Sequence, residues 1–190
     1  PNWKMGKKIS IDSSTMMNKV FEIIEAKKIF KIPYKKLSIL IHPKSYVHAI
    51  LKFDNGLIKI IAHDTTMKIP IFNTLYSNND KKLKSKKIDI NYLNNLDFKI
   101  VELNRFPIVK LLNFLPPKQS LFETVIVSAN DTLVELFLSN KIKFIDIQKK
   151  LFKIINKKKF LKLRNKYPKK IQDIVVLNNY VRLKTLENSI

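Results

Sequence analysis

Two β-rich segments joined by Asp54, Asn55 and Gly56 constrain the fold more than any other feature of the sequence. The segments read YVHAILKF and LIKIIAH. Asn and Gly both tolerate the positive φ of a tight turn, and Asn-Gly between two such segments is the strongest short-range signal for a hairpin. We therefore predict an antiparallel hairpin here, preceded by a short segment with strand character from Leu37 to Ile41.

Helical patterns lie on both sides of the predicted hairpin. One ends near Pro33, and in the C-terminal part apolar residues recur at helical spacing until Pro168, followed by a last helix. Ser120 with Glu123 predicts a capping box ahead of TVIVSANDTLVELFL. The predicted fold class is therefore α+β: a mixed or antiparallel sheet with helices, then a small C-terminal bundle of helices.

Composition along the chain predicts three regions. Residues 1–76 form the α+β region. Residues 77–102 include SNNDKKLKSKK and INYLNNLDF, which are polar and rich in Asn and Lys, so we interpret them as an extended linker. Residues 103–190 form the helical domain.

The formal net charge is +22, from 37 Lys and Arg against 15 Asp and Glu. Such a charge favours polyanionic partners, and KIINKKKFLKLRNKYPKK places Phe160 and Tyr167 among lysines where they could stack on bases. Lys is accompanied throughout by Ile, Asn and Phe, which is typical of A- and T-rich coding sequence. We therefore favour drift as the cause of the charge, with the aromatic side chains facing a core, and keep a basic nucleic-acid-binding module as the alternative function.

The absence of cysteine and of long apolar segments narrows the possible classes of protein. The sequence contains no Cys, which excludes disulfides and thiolate sites and fits a reducing cytosol. No apolar run approaches the length of a membrane span, and the first residues lack the apolar core of a signal peptide. We expect a cytoplasmic protein with no membrane partner.

Residues 15–30 predict an amphipathic helix with Asn18 and Glu22 on its polar face and Lys19 at the edge of that face. An ordinary solvated face accounts for this pattern. Residues 13–15, however, are all hydroxyl residues at the predicted helix start, where the helix dipole favours an anion. A phosphate site beside a carboxylate that binds a divalent cation is therefore the alternative interpretation.

A series of motifs favours that second interpretation. PNWKMGKKISIDSSTMMNKVFEIIEAKKIF, LIHPKSYVHAILKFDNG, MKIPI, NRFPIVKLL and SANDTLVELFLSNKIKFIDI follow one another over residues 1–147. In this order they closely resemble the C-terminal half of the 1-deoxy-D-xylulose 5-phosphate reductoisomerase family.

The resemblance implies an oxidoreductase and isomerase of non-mevalonate isoprenoid biosynthesis. Its members use NADPH and Mg or Mn to convert 1-deoxy-D-xylulose 5-phosphate, a sugar phosphate, to 2-C-methyl-D-erythritol 4-phosphate. They are usually homodimers, and the region of the predicted hairpin belongs to the sheet used for that contact.

The resemblance also assigns roles to residues. Glu22 matches the third carboxylate of the metal site, and Ser13, Asn18 and Lys19 match substrate-binding positions, with Ser13 beside the phosphate. His48 matches a histidine close to the active site. Glu22, Lys19 and His48 are therefore the expected catalytic residues, and Glu22 also contacts the substrate.

Further positions match the parts of the family that close over the site. Trp3, in PNWKMG, matches the flap and would cover the substrate. Gly6 and Met67 match positions near NADPH. The remaining histidines lack the spacing of a metal pair, so we expect a structural role for His42 and a solvated His63.

The chain also departs from the family. Val20 stands where Gly is common, and Asp131 replaces a Glu. Gly6 and Gly56 are the only glycines, so these residues hold no dinucleotide-binding fingerprint and the Rossmann-like NADPH domain is absent from them. We expect that domain, two metal carboxylates and a histidine upstream of Pro1. This fragment alone is therefore expected to be inactive, and an inactive structural relic of the enzyme is a further alternative.

Overall fold

The computed structural model describes residues 5–76, 81–87 and 89–189. Trp3 lies outside them. The helices are α1 (Lys7–Thr15), α2 (Met17–Phe30), α3 (Lys68–Leu75), α4 (Ile90–Asn94), α5 (Phe122–Leu138), α6 (Phe144–Ile155), α7 (Lys158–Leu161) and α8 (Ile171–Glu187). The strands are β1 (Leu40–Ile41), β2 (Val47–Lys52), β3 (Ile58–Ala62) and β4 (Lys99–Ile100). Short 3₁₀ helices cover Tyr34–Lys36, Pro107–Phe114 and Lys162–Asn165. The predicted α+β class is confirmed in the form of a helix-rich fold with small antiparallel sheets.

Two compact units make up the described chain. One lies within residues 39–101, and the other combines Met5–Ser38 with residues 102–189. The first two helices therefore pack with the C-terminal helices, although a sheet unit separates them in sequence. The division into 1–76, 77–102 and 103–190 stays a prediction about the domains of the family.

The predicted hairpin is confirmed in the sheet unit. Strands β2 and β3 pair antiparallel, with a register shift between Val47 and Ala49. In the turn, Gly56 N–H donates to Phe53 O at 3.0 Å, and Gly56 has a φ of 86°. Gly56 alone uses the positive φ of this turn, whereas Asn55 accepts a hydrogen bond from Leu57 N–H through its side chain.

The end of the predicted linker has regular structure. It contains α4 and β4, and β4 pairs antiparallel with β1, so that Leu40 lies opposite Ile100 and Ile41 opposite Lys99. A strand of two residues is too short to show an alternating pattern, and its partner lies far away in the chain. It could therefore not be recognised from the sequence.

The helix predicted over 15–30 begins later and follows a second helix. Met16 has φ 63° and ψ 17°, a left-handed conformation that ends α1 and precedes α2. Its N–H donates to Ser13 O at 3.1 Å. The hydroxyl residues 13–15 therefore end α1, and the prediction that they begin the active-site helix is wrong.

One apolar core lies in the helical unit, with α5 at its centre. Eleven residues of α5 are buried, and α5 packs against α1, α6 and α8. Helix α2 adds Met17, Val20 and Ile24 to the same core. The largest fully buried side chains from the C-terminal helices include Phe122, Ile126, Leu133, Ile147, Leu151 and Phe160.

The start of α5 differs from the predicted capping box. Ser120 Oγ accepts a hydrogen bond from Phe122 N–H at 3.2 Å. The Glu123 carboxylate lies 2.6 Å from Lys28 Nζ at the end of α2 and accepts a hydrogen bond from Tyr34. Glu123 thus joins α2 to α5, because a buried carboxylate needs a cation more than it needs a backbone amide.

Among the described residues, no helix is both long enough and apolar enough to cross a membrane.

Candidate substrate and metal site

The first turns of α2 carry three of the predicted site residues, Asn18, Lys19 and Glu22. Lys19 Nζ donates to both carboxylate oxygens of Glu22, at 2.8 and 2.9 Å. Both side chains are substantially exposed, at 39% and 53%. An exposed pair of this kind stabilises a helix by only about 0.5 kcal/mol, so an anion could draw Lys19 away, or a cation Glu22, at little cost.

Ser13 lies in the last turn of the preceding helix, α1, and its hydroxyl is unbonded. The other hydroxyl residues of α1 donate to backbone oxygens of their own helix: Ser10 to Gly6, Ser14 to Ser10, and Thr15 to Ile11. Within the described part of the chain, the Ser13 hydroxyl has no hydrogen-bond partner. Ser13 is half-buried and keeps both its donor and its acceptors for a ligand.

Asn18 also holds an unsatisfied polar atom. Its side-chain oxygen is buried and has no partner among the described residues. A buried oxygen without a partner costs free energy on the order of 1–3 kcal/mol, and a donor supplied by a ligand would recover it. Because Asn18 lies in the first turn of α2, beside Lys19, the site favours a ligand with both hydroxyl and anionic groups.

Glu22 provides one exposed carboxylate for a metal. Among the described residues, no group of three His, Cys, Asp or Glu side chains is arranged to hold a metal ion. Hard divalent cations take six or more oxygen ligands, several of them carboxylates. The chemistry of Glu22 therefore fits one ligand of a Mg or Mn site, and the other protein ligands would have to come from outside these residues.

Val20 lies away from this polar face. Its side chain is fully buried in the core with Met17 and Ile24. The extra bulk relative to glycine therefore packs against α2's neighbours in the core, on a different side of the helix from Lys19 and Glu22.

Gly6 precedes α1 as its N-cap and is exposed. A Cβ atom built on Gly6 would meet nothing within 4 Å. The space that a cofactor would need at Gly6 is thus open on the side of the missing side chain.

The remaining predicted site residues belong to the sheet unit. His48 lies in β2 and stacks on His63, with ring centroids 3.7 Å apart. Its Nε2 donates to His63 O at 3.1 Å. His63 is half-buried and its Nδ1 donates to Asp64 O, so the prediction that His63 is solvated is wrong. His42 contacts Asp97 O through Nδ1, in keeping with a structural role.

Met67 begins α3 as its N-cap and is 58% exposed. More than half of the Met67 surface is therefore open to solvent. An exposed Met offers a flexible, polarizable surface to a planar ring.

The two aromatic residues of the lysine-rich segment considered for nucleic-acid binding differ in exposure. Phe160 is 1% exposed and belongs to the core, so it cannot stack on a base in the folded protein. Tyr167 is 62% exposed. Of the two aromatic residues considered for stacking on bases, Phe160 is therefore part of the core.

A buried polar cluster joins α1 to α5 and was missed in the sequence. Asp12 is 4% exposed and accepts hydrogen bonds from Lys8 and from Asn130, which is fully buried. The only signal in the sequence is the spacing of Lys8 and Asp12 by four residues, which also suits an exposed ion pair.

Comparison with known protein families decides the family to which the chain belongs. Residues 64–184 match the family model described as the DXP reductoisomerase C-terminal domain, and residues 1–30 match the model described as the 1-deoxy-D-xylulose 5-phosphate reductoisomerase C-terminal domain. The first match alone covers more than half of the chain. The chain belongs to the 1-deoxy-D-xylulose 5-phosphate reductoisomerase family.

Individual reductoisomerases are similar over most or all of the chain. The protein of that name from Pelagibacter ubique (strain HTCC1062) is 63% identical over 190 residues, which are 100% of this chain and 49% of that protein. The protein from Sulfurihydrogenibium sp. (strain YO3AOP1) is 37% identical over 86% of this chain and 44% of its own length. The chain therefore spans about half the length of the curated reductoisomerases it matches.

Solved reductoisomerase structures share the fold. The enzyme from Zymomonas mobilis in complex with NADPH matches with a TM-score of 0.81 and 31% identity, over 96% of this chain and 47% of that one. A reductoisomerase in complex with NADPH, fosmidomycin and magnesium matches with a TM-score of 0.87 and 30% identity, over 98% of this chain and 47% of that one.

Proposed function

We propose that this chain is the C-terminal half of a working reductoisomerase, which converts 1-deoxy-D-xylulose 5-phosphate, NADPH and a proton to 2-C-methyl-D-erythritol 4-phosphate and NADP⁺. The observation that carries the proposal is the buried, unsatisfied Asn18 Oδ1 beside the weakly paired charges of Lys19 and Glu22 on α2. Ser13, in the last turn of α1, adds a hydroxyl. Family membership supports the same assignment, since residues 1–30, which include all four residues, match a reductoisomerase family model.

Each of these residues has a separate task in the proposed site. Ser13 donates to a phosphate oxygen, and the Lys19 ammonium adds a positive charge that attracts the same group. Asn18 Oδ1 accepts a hydrogen bond from a substrate hydroxyl. Trp3 is proposed to cover the substrate and exclude water, and His48 to lie close to the reacting atoms.

The proposed cofactors follow from the relatives, which hold NADPH and magnesium. Glu22 would give one oxygen ligand to Mg or Mn, and Gly6 and Met67 would lie beside NADPH. The metal supplies Lewis-acid stabilisation of negative charge on the ketone and hydroxyl oxygens, while NADPH supplies the hydride. Use of manganese and a cytoplasmic location stay predictions, which metal titration and cell fractionation would test.

The proposal is tested with the full-length natural protein that contains this chain. We expect NADPH oxidation that depends on both 1-deoxy-D-xylulose 5-phosphate and Mg or Mn. Glu22→Gln removes the ligand charge and is expected to raise the metal concentration for half-maximal rate at least tenfold, because hard cations need charged oxygens. Lys19→Met is expected to raise KM for the sugar phosphate by about a hundredfold, the loss of a charged hydrogen bond of about 2–3 kcal/mol.

Glu25→Gln is the matched control, because Glu25 is an exposed carboxylate on the same helix. It should leave the metal dependence and KM unchanged. A well-folded wild-type protein that does not oxidise NADPH in the presence of this substrate would contradict the proposed function. Equal effects of Glu22→Gln and Glu25→Gln would contradict the assigned metal ligand alone.

We also propose that the protein is a homodimer that uses the β2–β3 hairpin. Leu57 and Ile58 are 60% and 56% exposed there, and Ile60 is 46% exposed. Exposed apolar residues on a two-stranded sheet favour pairing with another surface. Sedimentation of the full-length protein should give the mass of a dimer, and Ile58→Lys should shift it towards the monomer. A wild-type monomer at micromolar concentration would refute this proposal.

A further inference from the structure

Helix α1 carries Ser13 but has no fully buried apolar residue of its own. Its one buried side chain is Asp12, and Ile11 is only partly buried against the core. A helix of nine residues is too short to be stable by itself in water. The position of α1, and therefore of Ser13, thus depends in part on how Asp12 is held.

Asp12 is held from α5 by a single buried amide. Asn130 Nδ2 donates to Asp12 Oδ1 at 2.8 Å, and Asn130 is 0% exposed. An NH₂ group bonded to an ionised acceptor in a buried site makes one of the stronger hydrogen bonds available to neutral donors. The bond joins residues 118 positions apart in sequence.

The side-chain oxygen of Asn130 indicates that this residue serves one specific hydrogen bond. The side-chain oxygen of Asn130 is buried and has no partner among the described residues. A buried amide that leaves its oxygen unsatisfied costs stability. Among the described residues, the side chain of Asn130 therefore makes one hydrogen bond, to the carboxylate of Asp12.

Lys8 supplies the positive charge for this contact. Its Nζ lies 2.7 Å from Asp12 Oδ2 and 2.9 Å from Asp131 Oδ1, so it bridges a carboxylate on α1 and one on α5. Burial lowers the pKa of Lys8, but its hydrogen bonds to Asp12 and Asp131 outweigh burial and raise the pKa above its ordinary value. Asp131 in turn lies 3.6 Å from Arg182 of α8.

We propose that Asp12 and Asn130 are positioning residues for the phosphate-binding hydroxyl of Ser13. Asp12 directly precedes Ser13, so the buried bond to Asn130 fixes the end of α1 relative to α5 and holds the unbonded hydroxyl in place. This inference rests on the proposed function, because it assumes that Ser13 binds the substrate phosphate. A displacement of about 1 Å at such a group is enough to change binding or rate by about a hundredfold.

Three variants of the full-length protein test the contact directly. Asp12→Asn removes the charge, and Asn130→Asp places two carboxylates at hydrogen-bond distance in a buried site. The double variant, Asp12→Asn with Asn130→Asp, restores one donor and one ionised acceptor with the direction reversed. By hydrogen exchange, we expect the α1 amides of Asn130→Asp to exchange at least tenfold faster, the α6 amides to be unchanged, and the double variant to recover most of the protection.

The kinetic readout separates positioning from general stability. Asp12→Asn should raise KM for the sugar phosphate about tenfold and leave kcat within about threefold, because a displaced phosphate ligand weakens ground and transition states alike. Ser128→Ala is the control. Ser128 is 1% exposed and donates to Asn178 Oδ1 of α8 at 2.7 Å, so this variant removes another interhelical bond of α5. It should lower the melting temperature without changing KM.

The outcomes distinguish this inference from the proposed function. A wild-type protein with no activity on 1-deoxy-D-xylulose 5-phosphate refutes the proposed function, and the kinetic role of Asp12 falls with it. Normal wild-type activity, with KM of Asp12→Asn no higher than that of Ser128→Ala, overturns positioning alone. Equal exchange rates in α1 for wild type and Asn130→Asp also overturn it, whatever the activity.

Discussion

Truncation of Val20 tests whether the residue that departs from the family faces the core or the substrate. Val20 is 0% exposed and packs with Met17 and Ile24. Val20→Ala removes two carbon atoms from the core, about 1.6 kcal/mol at 0.8 kcal/mol for each, and a residual cavity adds about 1 kcal/mol. The better helix propensity of Ala returns about 0.5 kcal/mol. We expect a net loss of about 2 kcal/mol in the free energy of unfolding.

Val20→Gly should cost more than Val20→Ala. It removes one further carbon atom and introduces the residue that disfavours a helix interior by about 1 kcal/mol relative to Ala, so the total loss should be about 4 kcal/mol. The glycine that is common in the family would therefore destabilise this chain unless other core residues changed with it.

Urea unfolding followed by circular dichroism measures these losses as shifts of the midpoint at constant slope. Val176→Ala is the control, since Val176 is 58% exposed on α8 and the same truncation should cost nothing there. KM for the sugar phosphate should stay within about threefold of wild type in Val20→Ala, because the side chain faces away from Lys19. A loss below about 0.5 kcal/mol together with a changed KM would refute the core assignment.

Two further predictions concern stability. Burial first, and then the charge and hydrogen bond of Glu123, raise the pKa of the Tyr34 hydroxyl above its ordinary value. The contribution of this group to stability is thus complete below about pH 10 and is lost as pH rises further, so the difference in unfolding free energy between wild type and Tyr34→Phe should shrink above pH 10; a constant difference to pH 11 would contradict this. Gly56→Ala should destabilise the hairpin by about 1 kcal/mol through its φ of 86° alone, because no atom lies within 4 Å of the added Cβ. Faster amide exchange in β2 and β3 would measure this, and unchanged exchange would argue against strain.

The hairpin and the C-terminal helices could be predicted because their signals are local. Gly56 permits a turn that few residues allow, and the apolar spacing of α5 and α6 exceeds what chance would supply. The capping box at Ser120 was predicted on equally local grounds, yet Glu123 is drawn to Lys28 and Tyr34 instead. A local pattern describes which bonds are available, and packing selects among them.

The sequence predicted that Asn18, Lys19 and Glu22 lie together, but it did not predict where Ser13 lies relative to them. Asn18, Lys19 and Glu22 share the start of α2 as their spacing requires, whereas Ser13 lies at the end of another helix. The left-handed backbone at Met16 separates the two helices, and nothing in the side chain of a methionine signals that conformation.

The sequence by itself determined the hairpin, the C-terminal helices, the family motifs and the residue types that we propose for phosphate and metal. Those depend on backbone preferences and on neighbours a few positions apart. Only the tertiary structure decided that α1 and α2 pack with helices more than 70 positions away, that Val20 is core, and that Asp12 is buried against Asn130. From sequence alone, an Asp four residues after a Lys predicts an exposed ion pair. In the fold, Asp12 is buried, and Asn130, on a distant helix, donates a hydrogen bond to it. Burial and long-range pairing depend on how whole elements pack, which no local pattern contains.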